Sequence, residues 1–278
     1  GYEEGITPNP DVMCNREIKF GVFRDWAKGK GFDTVATGHY ARSRAGEGGQ
    51  REILMGRDPN KDQTYFLAMM KPDQVRAARF PVGDLMKPEV REVAKRFGLP
   101  TAAKKDSQGI CFIGQIKMSD FLETYLPDEP GLIVSPSGEV LGRHRGLHFY
   151  TLGQRKGIGV PSNEYKRNYV VVEKRKATRE LVIAFDDPDA PKLYSRACIL
   201  NQLSFTGDPL TIEHRLQARA RYRAPAVDIR FIPMEDCRAR IEWSAPQRAL
   251  ACGQICALYD GDVLRGGGIY GEILEITT

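Results

Sequence analysis

The stretch Thr34-Val35-Ala36-Thr37-Gly38-His39-Tyr40 decides how the first third of the chain is read. Val35 and Ala36 make a short apolar run, and Gly38 breaks it. That pattern predicts a short buried strand, with His39 at its carboxyl end, where ligands collect in α/β sheets. Upstream, Ile18, Phe20, Phe23, Trp26 and Ala27 recur near helical spacing, which predicts a helix over 16–31 stopped by Gly31. Downstream, Gly46-Glu47-Gly48-Gly49 reads as the tip of a hairpin. A helix over 62–70 should follow the Asp58-Pro59-Asn60-Lys61 turn. Val90, Val93, Ala94 and Phe97 predict another, with Pro88 near its start and Gly98 past its end. A short helix over 120–126 would take Ser119 as N-cap.

From Pro127 the pattern changes. Strands are expected at 131–134 and 139–142 around Pro136-Ser137-Gly138, then at 169–173 and 181–184. Beyond Tyr194, strands are expected at 216–222, 227–232, 238–243, 254–259 and 269–276. This second half reads as a small mixed sheet followed by a barrel.

The 278 residues are 41% hydrophobic and 28% charged, as in globular domains, which excludes long-range disorder and a disulfide-stapled mini-protein. The longest apolar runs, such as Tyr169–Val172, fall far short of the roughly 18–20 residues of a spanning helix. No membrane partner is expected. No signal segment opens the chain, and its first residue is Gly1, so the natural N-terminus is expected to lie upstream. Six cysteines without CxxC pairs point to a reducing, cytoplasmic setting.

Net charge is +5, but residues 143–179 hold ten Lys/Arg against two acidic residues. Either this stretch meets an anionic partner or it is a solvated sheet face. Arg219, Arg221 and Arg223 alternate on an expected strand. Period 2 would put them on one face, suited to a phosphate backbone or to water.

Two segments carry candidate chemistry. In Thr7-Pro8-Asn9-Pro10-Asp11-Val12-Met13-Cys14-Asn15, two prolines fix a rigid loop before a helix. A helix N-terminus and Arg16 favour a thiolate at Cys14, and Asp11 could serve as acid, base or ligand. In Lys104-Lys105-Asp106-Ser107-Gln108-Gly109-Ile110-Cys111-Phe112-Ile113-Gly114, a cysteine sits between glycines with two lysines upstream. Each cysteine alone reads equally as a buried structural thiol. Cys198, Cys237, Cys252 and Cys256 read as inert. The basic loop Gly153-Gln154-Arg155-Lys156-Gly157-Ile158-Gly159 is not a phosphate-binding P-loop. His39 reads as structural.

Taken together, the 7–20 segment, Thr37-Gly38-His39-Tyr40-Ala41-Arg42, Lys61-Asp62-Gln63-Thr64-Tyr65-Phe66-Leu67, Gly109–Gly114 and Gly153–Gly159 occur in the order found in one family. The chain resembles the tRNA-specific 2-thiouridylases of bacteria and organelles over its whole length. The resemblance implies ATP-dependent thiolation of the wobble uridine in tRNAs for Lys, Glu and Gln, fed by a sulfur-donor protein or sulfide. It implies Cys111 as persulfide carrier, Cys14 as partner nucleophile able to form a disulfide with it, and Asp11 near the reacting atoms. Asn9, Pro10 and Asp11 would contact the target base, and Gly38 would lie against ATP, which is used with Mg. Lys61, Asp62, Gln63, Arg221 and Tyr222 would contact tRNA.

The implied fold is α/β, the remainder of an adenine-nucleotide α-hydrolase-like sheet, in 1–115. A central domain should occupy 116–192, with 80–100 packing near it, and a C-terminal β-barrel 193–278. The family's Ser-Gly-Gly-Val-Asp-Ser-type loop for ATP phosphates does not occur in the sequence. The chain by itself is therefore expected to be inactive. Two rivals remain: a non-catalytic tRNA-binding module, and an iron–sulfur-dependent thiolase with Cys14, Cys111 and Asp11 as cluster ligands.

Overall fold

A computed structural model describes Tyr2 and residues 6–103, 118–162, 164 and 167–274. After an extended loop the chain forms one long helical run. It begins as α1 (Pro10–Met13), continues as a π-helical stretch (Cys14–Val22) and ends as α2 (Phe23–Gly29). The helix thus starts ahead of Cys14, because Asn9 caps it and Pro10 occupies its first position. In the π stretch the Phe23 N–H reaches back five residues to the Ile18 carbonyl. Gln74 Nε2 donates to the Arg16 carbonyl at 2.7 Å. Phe20 and Ala27 are buried, whereas Ile18, Phe23 and Trp26 are exposed. The apolar residues therefore lie on two faces, and only one packs inward.

β1 (Val35–Ala36) follows, then the expected hairpin of β2 (Ala41–Ala45) and β3 (Arg51–Met55). The expected 62–70 helix is only a 3-10 turn, Thr64–Leu67. The reason is visible in the core: Leu67, Ala68, Met69 and Met70 are all buried, so the segment has no polar face to present. Next come α3 (Pro72–Ala77), β4 (Ala78–Arg79), which pairs in parallel with β1, and α4 (Lys87–Arg96). That parallel pair is the α/β element of the first third.

α5 (Met118–Tyr125) leads to the central sheet of β5 (Gly131–Val134), β6 (Val140–His144), β7 (Tyr169–Arg175) and β8 (Glu180–Phe185). Its order is β6-β5-β8-β7, with β5 and β8 parallel. The last part comprises β9 (Tyr194–Phe205), β10 (His214–Arg219), β11 (Val227–Met234), β12 (Arg238–Arg248), β13 (Ile255–Asp260) and β14 (Val263–Leu274). The order β13-β10-β11-β12-β9-β14 closes through a β13–β14 pairing, giving a six-stranded antiparallel barrel. Closure removes the unpaired edges of an open sheet.

The N-terminal part is built onto this barrel. β3 pairs with β14, Leu54 opposite Val263 and Ile53 opposite Leu264. β13 is buried on both faces. Cys256 and Leu258 belong to the cluster around Phe231, Ile241 and Tyr270. Ile255, Ala257 and Tyr259 join the cluster of Phe20, Leu67 and Met69. Strand alternation sends successive residues to opposite sides, which explains the unbroken run Ile255–Tyr259.

Candidate functional site

The loop before α1 lies where the three parts of the chain meet. Thr7 N–H donates to the Cys252 carbonyl at 3.2 Å. Gln254 Nε2 donates to the carbonyls of Thr7 at 2.8 Å and Pro8 at 3.2 Å. The Thr7 and Thr151 hydroxyls are 3.4 Å apart, which brings in the central part. Gly253 makes the close approach feasible: it has φ +89, and a Cβ there would stand 2.2 Å from Ile6 Cγ2.

From this anchored loop the helix projects its first turns. Asn9 Oδ1 accepts the Val12 N–H at 3.2 Å. The Cys14 N–H donates to the Asp11 and Pro10 carbonyls, so Cys14 sits inside the helix rather than ahead of it. Asp11 and Cys14 are three apart and share a face. The Asp11 carboxylate makes no hydrogen bond or ion pair with the described residues, and both residues are partly exposed. Asn15 is buried. Its Nδ2 donates to the Phe66 carbonyl at 3.1 Å, while its Oδ1 has no partner among the described residues.

Phe66 links the helix to the barrel. Its ring lies 4.4 Å from Tyr222 and 5.7 Å from Tyr65. The Tyr65 hydroxyl donates to the Ile255 carbonyl at 2.9 Å, and burial raises its pKa. Arg221 and Tyr222 lie in the turn after β10, and Arg221 donates to the Arg248 carbonyl. This corrects the expectation of three arginines on one strand face. Only Arg219 is on the strand, Arg223 has φ 64 in the turn, and the guanidiniums part company.

The Lys61–Gln63 segment is turned largely inward. Asp62 is 4% exposed. Its carboxylate accepts from Gly56 N–H at 3.0 Å, Thr64 Oγ1 at 2.9 Å and Arg219 Nη1 at 2.6 Å. Gln63 Oε1 accepts the Tyr40 N–H at 3.0 Å, and the Gln63 N–H returns a bond to the Tyr40 carbonyl. Lys61 is partly exposed. Through Gln63 the segment is tied to the β1 end. There Gly38 is exposed, and a Cβ on it would meet nothing within 4 Å. His39 is buried between Phe20 and Phe80, with Nδ1 2.8 Å from the Thr37 hydroxyl. Burial, helped by Lys19, lowers its pKa to about 4, so the ring is neutral at ordinary pH.

Cys111 and the whole 104–117 segment, Lys104 and Lys105 included, lie outside the described residues. Cys198, Cys237, Cys252 and Cys256 carry no disulfide. Burial pushes Cys256 up to about 12 and Cys198 well above its ordinary value, which leaves both thiols unreactive. No three His, Cys, Asp or Glu among the described residues are grouped to hold a metal.

Four of the ten basic residues in this stretch are paired with carboxylates among the described residues. Arg145 binds Glu123 and Asp128, Arg155 binds Asp186, Arg167 binds Glu164 and Asp187, and Arg175 binds Glu173 and Glu180. Most of these carboxylates come from outside residues 143–179, so folding reduces the local charge excess. No helix of the described residues is long and apolar enough to cross a membrane.

Sequence motifs missed Gln254 and gave no hint of the contacts of Phe66 with Tyr222 or of Arg219 with Asp62, since these partners lie far along the chain. For Gln254 the only local signal is the neighbouring Gly253.

Comparison with known proteins agrees with this arrangement. Residues 1–115 match the tRNA methyl transferase HUP domain, 119–185 the tRNA methyl transferase PRC-barrel domain, and 195–270 the aminomethyltransferase beta-barrel domain. The tRNA-specific 2-thiouridylase MnmA of Akkermansia muciniphila is 54% identical over 273 residues, 98% of this chain and 76% of that protein. Its namesake in Neisseria meningitidis is 47% identical over 268 residues, covering 96% and 72%. The Pseudomonas aeruginosa protein of the same name is 44% identical over 271 residues, also covering 96% and 72%. The HUP-type first part, the central sheet, the closed barrel and identity sustained across all three lead to one conclusion: the chain belongs to the tRNA-specific 2-thiouridylase family.

Proposed function

We propose that the chain carries the sulfur-transfer and tRNA-recognition machinery of an ATP-dependent tRNA wobble-uridine 2-thiolase acting on tRNAs for Lys, Glu and Gln. The observation that carries this reading is the anchored Thr7–Asn9 loop, which presents Asp11 and Cys14 on one helix face. A base taken out of its stack needs such a rigid receiver. Asn9, Pro10 and Asp11 receive the uridine.

ATP, with Mg, supplies an adenylyl group to O2 of the base and so turns a carbonyl oxygen into a leaving group. Gly38 fits that approach, since protein packing leaves the space beside it empty. The Cys111 persulfide then attacks C2, and AMP departs with O2. Cys14 attacks Cys111 Sγ, the S–S bond to the transferred sulfur breaks, and a Cys14–Cys111 disulfide remains while 2-thiouridine leaves. Sulfide restores the persulfide by attacking Cys111 Sγ of the disulfide, Cys14 leaving as thiolate; a sulfur-donor protein does so after a thiol reductant has opened the disulfide, the Cys111 thiolate then taking the donor's outer sulfur.

Lys61, Arg221 and Tyr222 meet the tRNA. Asp62 and Gln63 act from behind by holding Lys61, Thr64 and Tyr40 in place. The 1–115, 116–192 and 193–278 divisions then each contribute to one site. The methyl-transferase wording of the family descriptions is less telling than relatives at 54% identity and the two cysteine motifs.

The test compares this chain with the same chain preceded by the family's pyrophosphatase-loop segment. Each is given tRNA, ATP and sulfide, and 2-thiouridine is read by mass spectrometry. Product from the extended protein, lost in Cys111→Ser and Cys14→Ser, is expected. Salt-sensitive tRNA binding with no product from either protein would overturn the catalytic reading in favour of a binding module. Product that depends on a visible-absorbing cluster would replace the persulfide scheme.

A further inference from the structure

Between the central sheet and the barrel lies a cavity of about 920 Å³. Its walls are mainly apolar: Leu147, Leu152 and Val172 on one side, Leu250 and Ile273 on the other. A volume of that order suits a drug-sized molecule. Of the three lysines in its lining, Lys192 is held by Glu173 and Lys176 is exposed, while Lys174 reaches in from β7. Lys174 Nζ donates to the Tyr150 carbonyl at 3.1 Å, its one hydrogen bond among the described residues. An ammonium has three N–H donors, so two are left to point elsewhere.

No described carboxylate neutralises this amine. Its neighbour Glu173 is held by Lys192 at 2.6 Å and by Arg175 at 3.2 Å. Asp189 and Glu272 also line the cavity, but both are exposed to solvent, where water screens them. Burial lowers the Lys174 pKa to about 8, as expected for a cation set in an apolar wall without a counter-ion.

We propose that this cavity is a binding site for a small soluble amphiphilic anion, its apolar body between the two walls and its head group on Lys174. The site has a mechanical link to the anchored loop. Thr7 and Cys252 both belong to its wall, and the Thr7 N–H bonds the Cys252 carbonyl. A molecule seated there braces the residues that hold the loop, so occupancy slows opening of that hydrogen bond.

The test uses 8-anilinonaphthalene-1-sulfonate as probe, followed by fluorescence. It is run in a Trp26→Ser background, which reduces competing adsorption on the exposed apolar helix face. One saturable site is expected. Lys174→Met keeps the apolar stem and removes the charge, and should raise the probe Kd at least tenfold. Leu152→Trp fills the cavity and should abolish saturation. Far-ultraviolet circular dichroism and an unchanged urea midpoint check that both variants are folded. The probe should also slow hydrogen exchange at the Thr7 amide severalfold. The proposal is overturned by absence of a saturable site, by an unchanged Kd in Lys174→Met, by saturation surviving Leu152→Trp, or by Thr7 exchange indifferent to the probe.

Discussion

Arg219 and Asp62 join β10 to the Lys61–Gln63 segment, and removing one of them should be far more damaging than removing both. The pair is 2.6 Å apart, with side-chain exposures of 16% and 2%. Deleting one member of a buried ion pair costs about 3–5 kcal/mol, because a charge is left without its partner. Asp62 keeps its bonds from Gly56 and Thr64, which moves Arg219→Leu to the lower end. The lost stacking of Arg219 over Tyr259, 5.1 Å away, adds ~0.5–1 kcal/mol. A loss of about 3.5–4 kcal/mol results. With a urea slope of ~1.5 kcal/mol/M, the midpoint falls by about 2.5 M. Asp62→Asn in the same protein should restore more than half of that loss, because the stranded charge is gone. Trp243 is 4% exposed in the barrel while Trp26 is 57% exposed, so the blue-shifted emission reports barrel unfolding. A coupling energy under about 0.5 kcal/mol in the double-mutant cycle would refute the argument.

Three further outcomes are expected. Gly253→Ala combines a strained positive φ with a contact on Ile6, so the Thr7 amide should exchange at least tenfold faster while Trp243 emission stays unchanged. The His39 pKa is depressed from 6.5 to about 4, so the unfolded chain takes up its proton first as pH falls. Stability from this group is intact above pH 6.5 and declines towards pH 4, by about 2 kcal/mol at pH 5; ring resonances that titrate near 6.5 in the folded protein would contradict this. Arg145 is committed to Glu123 and Asp128, so Arg145→Ala should leave the salt slope of tRNA binding within ~0.3 of wild type. Arg221→Ala, in contrast, should reduce that slope by about 0.7–1.

What the sequence revealed was mostly local. The Gly46–Gly49 hairpin, the strand pair around Pro136-Ser137-Gly138 and the Asn-Pro-Asp loop all depend on residues a few positions apart. β9 escaped detection because two of its inward positions, Ser195 and Ser204, are polar, and Gln202 breaks the alternation with φ 52. The pairing of β3 with β14 was invisible for a different reason: its partners lie at the far end of the chain. The same distance hid Gln254 and the pairing of Arg219 with Asp62. A charge count along the basic stretch does not show that four of its arginines meet carboxylates, most of which arrive from other segments in space. Helix periodicity located the run over 16–31 without showing which of its apolar residues pack inward: Phe20 and Ala27 do, Ile18, Phe23 and Trp26 do not.

The anchoring of Thr7 and Pro8 by Gln254 spans 247 residues. On a ribosome the N-terminal loop emerges long before its clamp exists. At roughly 5–20 residues per second, it waits about 12–50 s for the barrel turn to be made. Throughout that interval Cys14 travels on a helix whose entry loop has no anchor. The proposed receiving geometry for a base therefore appears only once the barrel turn that carries Gln254 is made. Synthesis order thus acts as a safeguard, since a nascent chain cannot present that geometry before its barrel exists.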